Sequence, residues 1–158
     1  MVKKAKSAEY VLLRGHFRRF LFLGQRMTLI SSVKTHESLS LQIYKCPANK
    51  LTIGYGRNIE DRGITKGEAD ILLLNDLAIC TKEAKQFEFY EALTSNRQDV
   101  IVEMIFNLGL TRFRKFKKTI LYIKKGEYAS ASDEMLRSRW STQVGQRAIT
   151  LSNKFRAG

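Results

Sequence analysis

The stretch HESLSLQIYKCPANKLTIGYGRN, residues 36–58, changes its hydrophobic period within a few positions, and that change fixes what is expected on either side of it. Up to Glu37, the residues Leu29, Ile30 and Val33 fall on or near one helical stripe, which predicts a helix running from Met27 to Glu37-Ser38. Beyond it, Leu41, Ile43 and Tyr44 read as a strand and Cys46-Pro47-Ala48-Asn49-Lys50 as a turn. Leu51-Thr52-Ile53 then leads out toward Gly54-Tyr55-Gly56. A small β-hairpin is expected.

Downstream, Thr65-Lys66-Gly67-Glu68 has the pattern of a capping box and opens a long helix from Ala69 to about Phe87. Every later run reads as helical, at about 95–108, 115–125, 128–137 and 146–156, with Gly109, Gly126 and Gly145 as punctuation. The fold class expected is therefore α+β and mainly helical: a small β-hairpin lobe joined by a long helix to a larger helical lobe. There is no internal repeat or low-complexity tract.

Residues 1–26 stand apart, with seven Lys/Arg against one Glu giving +6 of the chain's +13. Read as a helix, Tyr10, Leu13, Phe17, Phe20 and Leu21 share a face, but Arg14 and Arg18 border it and Phe22 and Leu23 lie elsewhere. The segment is expected as a basic N-terminal extension to a domain spanning 27–158. Three readings stay open for it: a membrane-surface segment, a weakly ordered extension, or a translated stretch before a start at Met27.

The chain's 158 residues, 44% of them hydrophobic, suffice for one sizeable core or two small lobes sharing a helix. Cys46 and Cys80 have no CxxC or Cys/His spacing, so free thiols are expected and neither a metal nor a cofactor is implied. A net charge of +13 attracts polyanions, whether nucleic acid, anionic lipid or anionic envelope polymers, and charge alone does not choose among them. The most apolar window, Tyr10 to Leu23, is broken by Arg14, His16, Arg18 and Arg19, so neither a membrane span nor an ordinary signal peptide is expected. A soluble monomer is the expectation.

Glycoside hydrolysis needs a proton donor for the leaving oxygen and a second group that activates water or attacks the anomeric carbon. Glu37 suits the donor, because a carboxyl at the negative end of a helix dipole is favoured in its neutral form. Cys46 and Thr52 flank the five-residue segment 47–51, so closing the hairpin is expected to bring them together, at roughly 5 Å between Cβ atoms if directly paired. Taken alone, a glutamate, a cysteine and a threonine in this window also fit ordinary helix-end and strand positions.

The wider sequence decides between these. His36-Glu37-Ser38-Leu39, Tyr44-Lys45-Cys46 and Leu51-Thr52-Ile53-Gly54-Tyr55-Gly56-Arg57-Asn58 together resemble the signature of the T-even phage lysozyme family, glycoside hydrolase family 24. The resemblance continues through Ile64-Thr65-Lys66-Gly67-Glu68-Ala69, Met104-Ile105-Phe106-Asn107-Leu108-Gly109, Ser138-Arg139-Trp140, Arg147 and Phe155-Arg156. It implies a lysozyme-like fold and a muramidase cutting the β-1,4 bond between N-acetylmuramic acid and N-acetylglucosamine of peptidoglycan. Glu37 matches the general acid, Cys46 the position usually held by the catalytic aspartate, and Thr52 the threonine that positions water. Arg147 matches an arginine that pairs with the catalytic glutamate, and Asn107 a polar substrate-facing position.

Two departures from the family pattern bear on detail. Cys46 stands where a carboxylate is usual; as a thiolate it acts either as base toward water, giving inversion, or as nucleophile, giving retention. Arg57 follows Gly56 where the T-even enzymes carry histidine, and the segment Asn58 to Ile64 is much shorter than theirs, so a trimmed small lobe is expected. Cys80 and the lone Trp140 are expected in the core. The run Arg112-Phe113-Arg114-Lys115-Phe116-Lys117-Lys118 is expected as a solvated helical face with both phenylalanines inward, with no specific nucleic-acid site. The function implied is an endolysin held in the host cytoplasm until a holin-type lesion releases it. A cationic wall- or membrane-disrupting protein that has kept the fold but lost turnover is the alternative.

Overall fold

A computed structural model of the chain describes residues 27–158, so the readings made for residues 1–26 lie outside the described residues. The chain divides into two compact units at Thr65/Lys66. Its described part is mainly helical with one small antiparallel sheet, the α+β class that the periodicity predicts.

In the first unit, residues 27–36 form α1, and the Glu37 amide closes its last turn on Val33 O at 2.8 Å. Strand β1 (Ser40–Lys45) pairs antiparallel with β2 (Leu51–Gly54), and β2 pairs with a third strand, β3 (Arg57–Asn58), that the sequence pattern did not suggest. Two residues offer too little alternation to register as a strand. The hairpin turn closes through Cys46 N–H to Lys50 O at 3.0 Å and Asn49 N–H to Cys46 O at 2.8 Å. Asn49 takes φ 61°, a left-handed conformation that asparagine tolerates better than most side chains.

Asn58 caps the single turn α2 (Ile59–Arg62), its side chain accepting from the Asp61 amide at 3.0 Å. This turn is tied back to the hairpin. Lys50 Nζ reaches Glu60 Oε1 at 3.0 Å and Asp61 Oδ1 at 2.9 Å, and the Leu51 amide donates to Glu60 Oε2 at 3.2 Å. Arg57 donates through Nε and Nη2 to Gly63 O at 3.0 and 2.8 Å. The short segment after β3 is thus a closed polar knot.

The second unit begins with α3 (Lys66–Ala84), directly after the Thr65 of the expected capping box, followed by a 3₁₀ turn at Tyr90–Ala92. Then come α4 (Ser95–Leu108), α5 (Leu110–Phe113), α6 (Lys117–Lys124), α7 (Tyr128–Leu136), α8 (Arg139–Val144) and α9 (Gln146–Ala157). Helix α4 is central and packs against α3, α5 and α9. Its Val100, Ile101, Met104 and Ile105 recur at helical spacing and are all 0–1% exposed. Arg97 anchors α9 to this core, donating to Phe155 O at 2.9 Å and Arg156 O at 3.3 Å while its guanidinium lies 3.8 Å from the Tyr128 ring centroid. A cation at those terminal carbonyls also complements the helix dipole.

Cys80 is buried beside Ala84, as expected, and burial first, then Glu83, pushes its thiol upward in pKa. Trp140 is in the core at 3% exposure, its Nε1–H donating to Asn107 Oδ1 at 2.8 Å. The basic run 112–118 corrects the expectation of one helical face. Helix α5 ends at Phe113 and α6 starts at Lys117, because Phe113 and Phe116 both turn inward and stack at 6.1 Å, with Phe116 edge-on to Trp140 at 6.3 Å.

Removing the indole's acceptor tests the last of these contacts. Asn107→Ala should destabilise the chain by about 1–3 kcal/mol, the cost of leaving a buried donor unpaired, measured by urea unfolding.

Candidate active site

Three of the five candidate residues, Glu37, Cys46 and Thr52, lie in the first unit, and two, Asn107 and Arg147, in the second. Glu37 sits one residue beyond the helical run of α1, its side chain close to Gly56 in the Gly54-Tyr55-Gly56 turn. A Cβ at Gly56 would lie 3.3 Å from Glu37 Oε2, tighter than ordinary packing, and at an ordinary 3.8 Å from Cδ. Gly56 also has φ 78°, where an L side chain is strained. Both facts demand glycine at this position. Lys34, one turn back on α1, lies 5.4 Å from the Tyr55 ring centroid, a cation–π contact that ties the helix end to the same turn.

Thr52 is on the central strand β2 and 2% exposed. Its register partner is Tyr44, so Cys46 and Thr52 are brought together on the hairpin without being directly paired. Cys46 instead stands opposite Lys50, to which its amide donates. Cys46 is therefore a diagonal neighbour of Thr52 on one face of the hairpin, a spacing that side chains still bridge. The register difference arises because the turn is closed by the Cys46–Lys50 pair, leaving three residues between them.

The Lys50 backbone N–H is the main cause, and the Thr52 hydroxyl the second, that holds the Cys46 thiol below its ordinary pKa, with the Ala48 and Cys46 amides adding smaller contributions. Thr52 Oγ1 also donates to Lys50 O at 3.0 Å. The hydroxyl has one proton for two acceptors, so ionising the thiol draws that proton toward sulfur. A cysteine in this setting offers more thiolate near neutrality than a free one.

In the second unit, Arg147 Nε and Nη2 donate to Glu103 Oε1 at 3.0 and 2.9 Å, a pairing that the sequence did not suggest. Glu103 precedes Met104 on α4, and its helical spacing gave no sign of a partner on α9. Asn107 is exposed while its Oδ1 serves Trp140, so the amide combines a structural contact with a solvent-facing position. Sequence reading also missed the contact of Glu37 with Gly56, for which the glycine doublet around Tyr55 was the available signal. Among the described residues, no three His, Cys, Asp or Glu side chains group as a metal site, and no helix is long and apolar enough to cross a membrane.

A helix-end carboxyl at a glycine turn, a thiol of lowered pKa and a hydroxyl on the hairpin of the same unit are the residue types that an acid-and-base site of a glycoside hydrolase draws on. The family model for phage lysozyme matches residues 34–157. Among similar proteins, an endolysin of Acyrthosiphon pisum secondary endosymbiont phage 1 is 35% identical over 69% of this chain and 74% of its own length. A probable T4-type lysozyme 2 of Dictyostelium discoideum is 24% identical over 83% of this chain and 95% of its own. The chain belongs to the phage lysozyme family and is a glycoside hydrolase of the lysozyme type.

The two glycines separate backbone strain from the contact with Glu37. Gly54 (φ 69°) has open space around its Cα, so Gly54→Ala and Gly56→Ala should each cost about 1–2 kcal/mol of stability. Only Gly56→Ala should also lower kcat in a wall-lysis assay, by roughly tenfold to a hundredfold, because only it displaces the carboxyl.

Thiol titration followed at 240 nm checks the second arrangement. Because the folded pKa of Cys46 is depressed, the folded chain binds fewer protons than the unfolded chain between the two values. The resulting stability is present above the unfolded pKa and is lost as pH falls through the folded one. Cys46 should thus ionise at lower pH in the folded than in the urea-unfolded protein, Thr52→Val should raise its value, and Cys80 should not titrate in that window.

Proposed function

We propose that this lysozyme is an endolysin cutting the β-1,4 bond between N-acetylmuramic acid and N-acetylglucosamine of peptidoglycan, with Glu37 as general acid. The observation that carries the assignment is the Glu37 carboxyl lying close beside Gly56 at the end of α1, in the unit that also bears Cys46 and Thr52. Glu37 protonates the leaving glycosidic oxygen as the bond to the anomeric carbon breaks. Water attacks that carbon and loses its proton to the Cys46 thiolate, with Thr52 placing the water. Solvent then returns a proton to Glu37 and removes one from Cys46.

Cys46 is proposed as base rather than nucleophile. The amide and hydroxyl contacts that lower its pKa supply the thiolate that this role needs, and the anomer formed first distinguishes it from direct attack. Asn107 and Arg147 are proposed as substrate-supporting residues, Arg147 oriented by Glu103. Anionic envelope polymers are proposed as secondary partners that the net charge of +13 attracts. Before lysis the enzyme waits in the host cytoplasm, and a holin-type lesion gives it access to the wall.

Turbidity loss of purified peptidoglycan, with the new reducing end followed by NMR, tests both parts. Glu37→Gln should reduce lysis by about 10²–10⁴-fold, the usual contribution of a general acid, and unchanged lysis would favour a non-enzymatic cationic action. The first-formed product should be the α-anomer, inverted from the β-linked substrate. A β-anomer would instead make Cys46 the nucleophile.

A further inference from the structure

In the first unit, the backbone of one residue serves both hairpin side chains of the proposed mechanism. Lys50 O accepts from the Cys46 amide at 3.0 Å and from Thr52 Oγ1 at 3.0 Å, and the Lys50 N–H faces the Cys46 sulfur. Where Lys50 sits therefore decides how the thiol and the hydroxyl are held. Its place in the chain does not secure it. Lys50 follows Asn49, which has φ 61°, and precedes the first residue of β2, and turns beside strand ends open at low cost in free energy.

The restraint comes from α2. Glu60 divides its oxygens, Oε1 taking Lys50 Nζ at 3.0 Å and Oε2 the Leu51 amide at 3.2 Å. The Leu51 N–H and the Lys50 carbonyl belong to one planar peptide and point to opposite edges of it. Glu60 thus holds one edge while Cys46 and Thr52 use the other, and a rotation of this plane would carry Lys50 O away from both donors. Asp61 steadies the same lysine at 2.9 Å, and its second oxygen accepts from Asn58 Nδ2 at 2.9 Å. Asn58 is in turn the register partner of Thr52, so the circuit closes on the strand that it serves.

We propose that Glu60 is a positioning residue for the reaction, fixing the Lys50–Leu51 peptide so that Lys50 presents its N–H and carbonyl to Cys46 and Thr52. The role rests on the reading of Cys46 as base and Thr52 as the residue that places water. Exposed ion pairs such as these add little to stability, whereas orienting a peptide needs only their geometry. Lys50 first, and then the Leu51 amide, holds Glu60 below its ordinary pKa, so the grip lasts as pH falls toward the carboxylate range. Among the described residues, amides and the Thr52 hydroxyl lower the Cys46 pKa, with no charged side chain among the causes. The sign of a change at Glu60 is therefore diagnostic. Removing a nearby carboxylate would by direct electrostatics favour the thiolate, while releasing the Lys50 backbone disfavours it.

The test combines thiol titration of the full chain with kcat and KM for lysis of purified peptidoglycan across pH. Glu60→Ala should raise the Cys46 thiol pKa and lower kcat near neutral pH by about tenfold, with KM within about twofold of the original. The acid limb of the kcat profile should move up with the thiol, so that the loss shrinks as pH rises. Glu60→Gln, whose amide oxygen still accepts from Leu51, should keep most of kcat. Lys50→Met cuts the side-chain link from the other end and should show the same change in smaller degree, which serves if Glu60→Ala does not fold. A thiol pKa that is unchanged or lower in both variants, or a kcat loss of equal size at every pH, would overturn the positioning role. Cys46→Ala separates this from the mechanism on which it rests. If Cys46→Ala abolishes lysis and the thiol does not move in Glu60→Ala, the positioning role alone falls. If Cys46→Ala lyses normally while Glu60→Ala still raises the thiol pKa, the base role of Cys46 falls and the hold of Glu60 on the Lys50–Leu51 peptide stands.

Discussion

The Glu37 carboxyl lies close beside Gly56, and the first unit is organised around the side chain that is missing there. A carboxyl of fixed position is needed at a helix end, where the chain would otherwise fray. The Glu37 amide is held by Val33 O, Lys34 is held by Tyr55, and the turn carrying Gly56 is set between β2 and β3. Lys50 with Glu60 and Asp61, and Arg57 with Gly63, then fasten the short segment after β3 to the hairpin. Each of these exposed ion pairs is worth little alone, but they share partners and restrict one another.

The second unit solves a different problem. Its core is built on α4, whose buried face meets α3, α5 and α9, while its polar residues do work at the margins. Glu103 orients Arg147, Asn107 receives the Trp140 indole, and Arg97 closes the end of α9. These acids and amides are spent on neighbours within the unit. Among the described residues, Lys115, Lys117 and Lys118 around the start of α6 are left without a carboxylate partner, while Lys124 at its end pairs with Glu88.

In the proposed mechanism, cysteine can stand in place of a catalytic carboxylate because the hairpin supplies what the side chain lacks. An aspartate is charged at neutral pH without help, whereas a thiol needs amides and a hydroxyl that favour its anion. Lys50, Ala48 and Thr52 provide these, and they do so because the turn brings its own backbone around the sulfur. The same contacts make Thr52 the link between the central strand and the Cys46 thiol.

By itself, the sequence determined the order and kind of the longer elements, since helical periodicity over 95–108 or 146–156 and the glycines after them are local signals. It also determined, through separated motifs in a matching order, the family and the candidates Glu37, Cys46 and Thr52. The short pieces were not legible: β3, α2, α5 and α8 are too brief for a period, and they form because partners elsewhere in the fold complete them. Only tertiary structure decided that Cys46 faces Lys50 rather than Thr52, since register depends on which backbone pair closes the turn. It likewise decided that Arg147 meets Glu103 and that Lys50 meets Glu60 and Asp61. Charge in a sequence has no direction, and which cations stay unpaired is settled only when folding brings the acids to their partners.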